Sequence, residues 1–157
     1  MSAAFLEIDS AVLDKTLHGL RERSAGRRES GAIWVGDLDG SHAVARRVLF
    51  FHELCDDRGE ALSLELSEEA KFNLYSDLAT RGLKLVGMVH SHPEDWVDLS
   101  YIDRKNQLCS RIGFWSIVLP WYAAQTWNLA QTGVHIRTNE GWFQFSPEEA
   151  GDRIAIR

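Results

Sequence analysis

The sequence predicts one mixed α/β domain over residues 1–157, with a central mixed sheet flanked by helices. Three observations predict it. Short apolar runs rich in Val, Ile, Leu and Trp recur along the chain, each bounded by Gly, Asp or Pro. Two other segments carry apolar residues at helical spacing. The length suits one ordinary core, and no repeat, low-complexity tract or long linker divides it.

The elements follow in order. Ser10 precedes a helix over Ala11 to Glu22, with Val12, Leu13, Leu17 and Leu20 on one stripe. Residues 24–28 read as a loop. Gly31 to Leu38 is a buried strand, ended by the turn Asp37-Leu38-Asp39-Gly40. Val44 to Leu54 reads as a second strand, broken by Cys55-Asp56-Asp57-Arg58-Gly59. Ser67 caps a helix through Thr80 whose inner face is Ala70, Leu74 and Leu78, and Gly82 stops it. Leu83 to His90 is a strand. Ser100 opens a helix to about Arg111. Gly113 to Leu119 is a strand stopped by Pro120, and Val134 to Arg137 with Trp142 to Phe145 form a hairpin.

Bulk properties narrow the function. Apolar residues are 45% and charged residues 25%, the balance of a globular protein in water. No apolar run is long enough to span a bilayer, and the N-terminus lacks a basic segment leading into an apolar one. A cytoplasmic protein with no membrane partner is expected. The net charge is -6 and the basic residues are dispersed, which argues against nucleic acid as a partner. Cys55 and Cys109 could pair, but two cysteines without an export signal fit a reducing compartment better.

The chemistry concentrates in residues 90–103. A strand alternates its side chains, so His90 and His92 face one side and Ser91 the other. Pro93 ends the strand. Asp103, in the first turn of the next helix, can swing back toward the two imidazoles. Two histidines and a carboxylate make a three-ligand zinc set with a fourth position left for water, the pattern of catalytic zinc. Each half has a plainer explanation: His-x-His is common on solvated strands, and Ser100-x-x-Asp103 fits a helix capping box. Packing alone does not account for both at this spacing. Either Glu94 or Asp98 could be a spare carboxylate near the ion, but both read better as an acidic, solvated loop.

His90-x-His92-Pro93, six residues, then Ser100-x-x-Asp103 resembles the signature of the JAMM (MPN-plus, JAB) metalloproteases. Glu29-Ser30-Gly31 leading into an apolar strand is similar to that family's upstream glutamate segment, and Leu85 to Val89 to its entering strand. The resemblance covers roughly Arg27 to Pro120. One departure is Leu99, where many relatives carry proline.

The resemblance implies a JAB/MPN architecture, similar to that of the cytidine deaminases. It implies one zinc per chain on His90, His92 and Asp103, with Glu29 as general base and Ser100 as donor to a developing oxyanion. It also implies a substrate: the isopeptide or peptide bond after the C-terminal tail of a ubiquitin-like protein. The short chain is similar to small bacterial JAB proteins that accompany E1/E2-like conjugation enzymes, some in antiviral defence operons. Trp34, Trp115 and Trp142 read as core; Trp96, Trp121 and Trp127 fit either core or a groove for the tail. A base deaminase is excluded, because neither His-x-Glu nor Pro-Cys-x-x-Cys occurs. A non-catalytic MPN-type scaffold is the alternative function. A peptidase that processes a ubiquitin-like precursor shares all the chemistry of a deconjugase.

Overall fold

The computed structural model describes residues 4–54, 66–105 and 108–157. Among them, eight strands form one sheet: β1 (Phe5–Ile8), β2 (Gly31–Asp39), β3 (His42–Phe50), β4 (Lys84–Ser91), β5 (Trp115–Leu119), β6 (Gly133–Thr138), β7 (Gly141–Phe145) and β8 (Ile154–Ile156). Their order is β7-β6-β5-β4-β2-β3-β1-β8. The β2–β3, β2–β4, β5–β6 and β6–β7 pairs are antiparallel, whereas β4–β5, β1–β3 and β1–β8 are parallel. The sheet is therefore mixed, as expected. Five helices accompany it: α1 (Ser10–Ser24), α2 (Phe51–Leu54), α3 (Glu68–Arg81), α4 (Tyr101–Lys105) and α5 (Pro147–Arg153). None of the described helices is long and apolar enough to cross a membrane.

Strand β2 sits at the centre and shows why the core has two halves. Ala32 and Trp34 face the larger apolar cluster, into which α1 packs Val12, Leu13 and Leu20. Ile33 and Val35 face the other, into which α3 packs Leu74 and Leu78. This is the two-residue strand period expressed in a strand buried on both sides. Trp34 is fully buried, and its indole N–H donates to Thr16 Oγ1 of α1 at 2.9 Å. Ser67 caps α3 by accepting from the Ala70 N–H at 3.1 Å, and Gly82 closes it with φ 67°.

Several boundaries differ from the sequence expectation. The second strand stops at Phe50, and Phe51–Leu54 is a helical turn. Its partner begins at Gly31, so the ladder runs out next to Phe50. The helix after Ser100 is described over Tyr101–Lys105 and does not reach Arg111, since the chain is no longer helical at Leu108. Leu108 is instead buried in the α3-side core, and Gly113 turns the chain with φ 94°. The Cys55–Gly59 break, Cys55 included, lies outside the described residues; Cys109 is a free thiol. Three elements have no counterpart among the sequence expectations, β1, β8 and α5. β1 has four residues and β8 three, too few for a pattern. α5 did carry a signal: Ser146-Pro147-Glu148-Glu149 forms a capping box with proline at the start.

The β2 ladder shifts register between Val35 and Gly36 on the β3 side. A Cβ on Gly36 would lie 1.9 Å from the Val44 carbonyl oxygen, a backbone atom that no rotamer change removes. Gly36→Ala is expected to cost about 2–4 kcal/mol and lower Tm by roughly 5–15 °C. Thermal melting followed by circular dichroism checks this, and an unchanged Tm would mean that the ladder slides without penalty.

Candidate metal centre

The site forms where β4 ends. His90 is its penultimate residue, in register with Val118 of β5 and Gly31 of β2. His92 lies just past the strand but stays in the ladder. Its N–H donates to the Leu119 carbonyl at 2.8 Å, and its own carbonyl accepts from the Tyr122 N–H at 2.9 Å. Both imidazoles are buried on the same side of the sheet, as alternation predicts.

Asp103 reaches them from the first turn of α4. The Asp103 N–H donates to Ser100 Oγ at 3.0 Å, while Asp103 Oδ2 accepts the Ser100 N–H at 2.8 Å. The capping box expected from Ser100-x-x-Asp103 is therefore present. The cap uses a lone pair of the Ser100 hydroxyl and leaves its proton for another acceptor.

Three donor atoms make a nearly equilateral triangle. His90 Nε2 and His92 Nε2 are 3.1 Å apart, and Asp103 Oδ2 lies 3.3 Å from the first and 3.2 Å from the second. A tetrahedral ion with bonds of about 2.0 Å needs donors roughly 3.3 Å apart. The side chains present therefore fit such an ion in both donor type and spacing. His92 is also set in the right tautomer. Its Nδ1–H donates to the Trp96 carbonyl at 2.8 Å, which turns the Nε2 lone pair inward. The exposed Trp96 indole stacks on the same imidazole, with centroids 5.4 Å apart and planes 10° from parallel. His90 Nδ1 is buried and has no partner among the described residues.

Charge follows the geometry. Burial opposes ionisation of Asp103, but hydrogen bonds from His90, His92 and the Ser100 amide win and hold its pKa far below the ordinary carboxylate range. Burial likewise opposes protonation of His92. The Asp103 and Trp96 hydrogen bonds and the Asp103 and Glu29 charges outweigh it, so the His92 pKa is raised. Glu29 stands half-buried in the loop before β2. Burial pushes its pKa up, the two histidines pull it down, and Asp103 pushes it up again; the net direction is upward. The charges of His90, His92 and Asp103 all reach Glu29, and burial leaves its pKa above that of an ordinary carboxylate.

Two supports of the site were not visible in the sequence. Asp98 is a clamp and not a solvated acid. Its Oδ1 accepts from the Leu99 N–H at 2.7 Å and from Arg104 at 3.0 Å, and it lies 3.2 Å from Nε2 of the fully buried His135 on β6. Burial lowers the His135 pKa despite the neighbouring Ser116 carbonyl and Asp98 carboxylate. Next to it, Gly133 leaves room for the loop: a Cβ there would sit 1.9 Å from the Val97 carbonyl oxygen. Strand β6 thus supports the loop at Val97 and Asp98. The second support is a left-handed turn after β5. Trp121, Tyr122 and Ala123 have φ of 55°, 55° and 60°, although none is glycine. Their amides hold the carbonyls of Glu94, His92 and Pro120. Glu94 itself is exposed. Of the ambivalent tryptophans, Trp121 is exposed, whereas Trp127 is half-buried against the α1-side core.

No family model matches the chain. In fold it is similar to protein DSY2949 from Desulfitobacterium hafniense, known from a solution structure, with a TM-score of 0.65 and 17% identity. The match covers 98% of this chain and 93% of that one. At this identity the likeness concerns the fold alone.

The directions of these pKa shifts predict how zinc and protons compete. In the metal-free protein the raised His92 pKa contributes stability that is complete below its ordinary 6.5 and lost as pH rises through the folded value. The depressed Asp103 pKa contributes stability above its ordinary 3.8, lost only as pH falls toward the folded value. Zinc needs both imidazoles neutral, so the raised His92 pKa sets protons against zinc to a higher pH than for a free imidazole. Zinc at about 100-fold above its Kd is expected to stabilise by about 2.7 kcal/mol at pH 8. The shift should shrink at pH 6 and vanish in His90→Gln and Asp103→Asn. Calorimetric scans with and without zinc measure it, and an equal shift at both pH values would show that His92 is not a ligand.

Proposed function

We propose that this chain is a JAMM-type zinc metallo-isopeptidase that cleaves after the C-terminal tail of a ubiquitin-like protein. The observation that carries the proposal is the 3.1–3.3 Å triangle of His90, His92 and Asp103 donors, with Glu29 electrostatically coupled to all three. A JAB/MPN architecture belongs to the same proposal.

His90, His92 and Asp103 would hold the ion. Zinc, when bound, supplies Lewis acidity that lowers the pKa of a coordinated water toward about 7. Glu29 would accept a proton from the water that attacks the carbonyl carbon, and return it to the nitrogen of the leaving amine. The C–N bond breaks, a carboxylate and an amine form, and no covalent enzyme intermediate is needed. The free proton of Ser100 is the donor to the carbonyl oxygen as charge builds on it. Trp96 is exposed directly over His92, and exposed Trp121 follows β5. Both can flank an extended tail entering the site.

Purified protein incubated with a panel of ubiquitin-like tails fused to a reporter, with and without chelator, tests the proposal. Cleavage by the zinc form and none after chelation is expected. Zinc binding with no cleavage of any tail, but retained affinity for a ubiquitin-like protein, would instead indicate a scaffold. Glu29→Gln should keep one zinc per chain and lose about 10²–10⁴-fold in kcat. Metal analysis and initial rates decide it: full activity in this variant would assign the base to another group. Trp96→Ala should raise KM more than it lowers kcat.

A further inference from the structure

Three buried serines meet on the far side of the sheet from the metal ligands. Ser24 ends α1, Ser30 follows Glu29, and Ser91 stands between His90 and His92. All are at most 1% exposed. Their hydroxyl oxygens are mutually in contact: 2.7 Å for Ser24–Ser30, 3.1 Å for Ser24–Ser91 and 3.2 Å for Ser30–Ser91.

The bonds around the cluster fix its polarity. The Ser30 hydroxyl donates to the Leu20 carbonyl at 2.9 Å, so Ser30 Oγ acts toward the other serines as an acceptor. The 2.7 Å contact then runs from the Ser24 hydroxyl to Ser30. Ser91 Oγ accepts the Ser30 N–H at 3.0 Å, and its own proton faces the Ser24 and Ser30 oxygens. A backbone bond from the Ser91 N–H to the Ser30 carbonyl, 3.0 Å, closes the link. Every hydroxyl proton has an acceptor. A fully satisfied buried network of this kind specifies one arrangement where an apolar filling would tolerate several.

We propose that the Ser24–Ser30–Ser91 cluster is a positioning device that sets Glu29 at a fixed distance from the histidine ligands. Ser30 carries the backbone of Glu29, Ser91 carries that of His90 and His92, and Ser24 ties both to α1. The proposal rests on the assignment of Glu29 as proton acceptor. The three serines touch neither ion nor substrate.

Ser24→Ala tests it, because Ser24 is remote in sequence from every ligand. Ser24→Cys, close in size and still a weak donor, is the second variant. In the metal-free protein, amide exchange at Ser30 should accelerate about tenfold in Ser24→Ala, with β5 amides unchanged. Zinc content and the cobalt(II) absorption spectrum should match the parent. On a cleavable tail fusion, kcat should fall about tenfold at constant KM, partly recovering in Ser24→Cys. In a Glu29→Gln background, Ser24→Ala should have no further effect on kcat. Unchanged Ser30 exchange, loss of zinc, or an equal fall in kcat in both backgrounds would overturn the proposal. Should the parent cleave no tail, the isopeptidase assignment fails, and the exchange arm still decides whether the cluster holds the Glu29 segment.

Discussion

The ladder at the carboxyl end of β4 is the constraint on which everything else depends. Parallel pairing with β5 carries β4 to Ser91, and the Leu119 carbonyl extends the pairing by one residue to His92. Strand alternation then does two jobs at once. It turns His90 and His92 to one face, where Asp103 meets them, and Ser91 to the other, where Ser24 and Ser30 meet it. A one-residue slip would exchange the faces and place one hydroxyl where two imidazoles belong. The site therefore needs the register of the whole central sheet, and not only its own loop.

Electrostatics explains why that register must be held firmly. Two imidazoles and a carboxylate packed within 3.1–3.3 Å of one another form a group that is costly to bury without a shared positive charge. In the metal-free protein only a proton can supply it, and the two pKa shifts run that way: His92 is raised by the Asp103 and Trp96 hydrogen bonds, and Asp103 is lowered by those from the histidines. A divalent ion supplies the same charge with fixed geometry. The orphaned Nδ1 of His90 is the exception, a buried polar atom that the described residues leave unsatisfied.

How much of this was legible in the sequence depended on the range of the interaction. His90, His92 and Asp103 lie within fourteen consecutive residues, and two short-range rules, strand alternation and helix capping, bring them together. Glu29 was legible only by likeness to a family; its coupling to the ligands depends on β2 lying beside β4, which no local pattern states. The clamping role of Asp98 is hidden from local sequence for the same reason. Its partner His135 is 37 residues away, and only the β5–β6 pairing makes them neighbours. The serine cluster joins residues 67 apart, and each serine alone looks like an ordinary small polar residue. The overlong helix after Ser100 failed differently: local propensity favoured it, and burial of Leu108 against the α3-side core overrode it.

The left-handed turn after β5 shows what holding His92 costs. Three consecutive non-glycine residues at positive φ carry a penalty of about 1–2 kcal/mol each. Nothing in the Trp121-Tyr122-Ala123 composition favours that conformation. The compensation lies in the bonds it allows: Trp121 to the Glu94 carbonyl, Tyr122 to the His92 carbonyl, and Arg21 of α1 to the Ala123 carbonyl at 3.1 Å. The turn fastens the chain on both sides of Pro93, the residue that cannot donate to the ladder itself. Beyond the proline, β6 takes over through Gly133 and His135, and the loop delivers Asp103. Strain at one point thus offsets the missing proline N–H at another. His92 and Asp103 are thus positioned from either side of the break that proline makes, His92 by β5 and the turn after it, Asp103 by the loop that leans on β6.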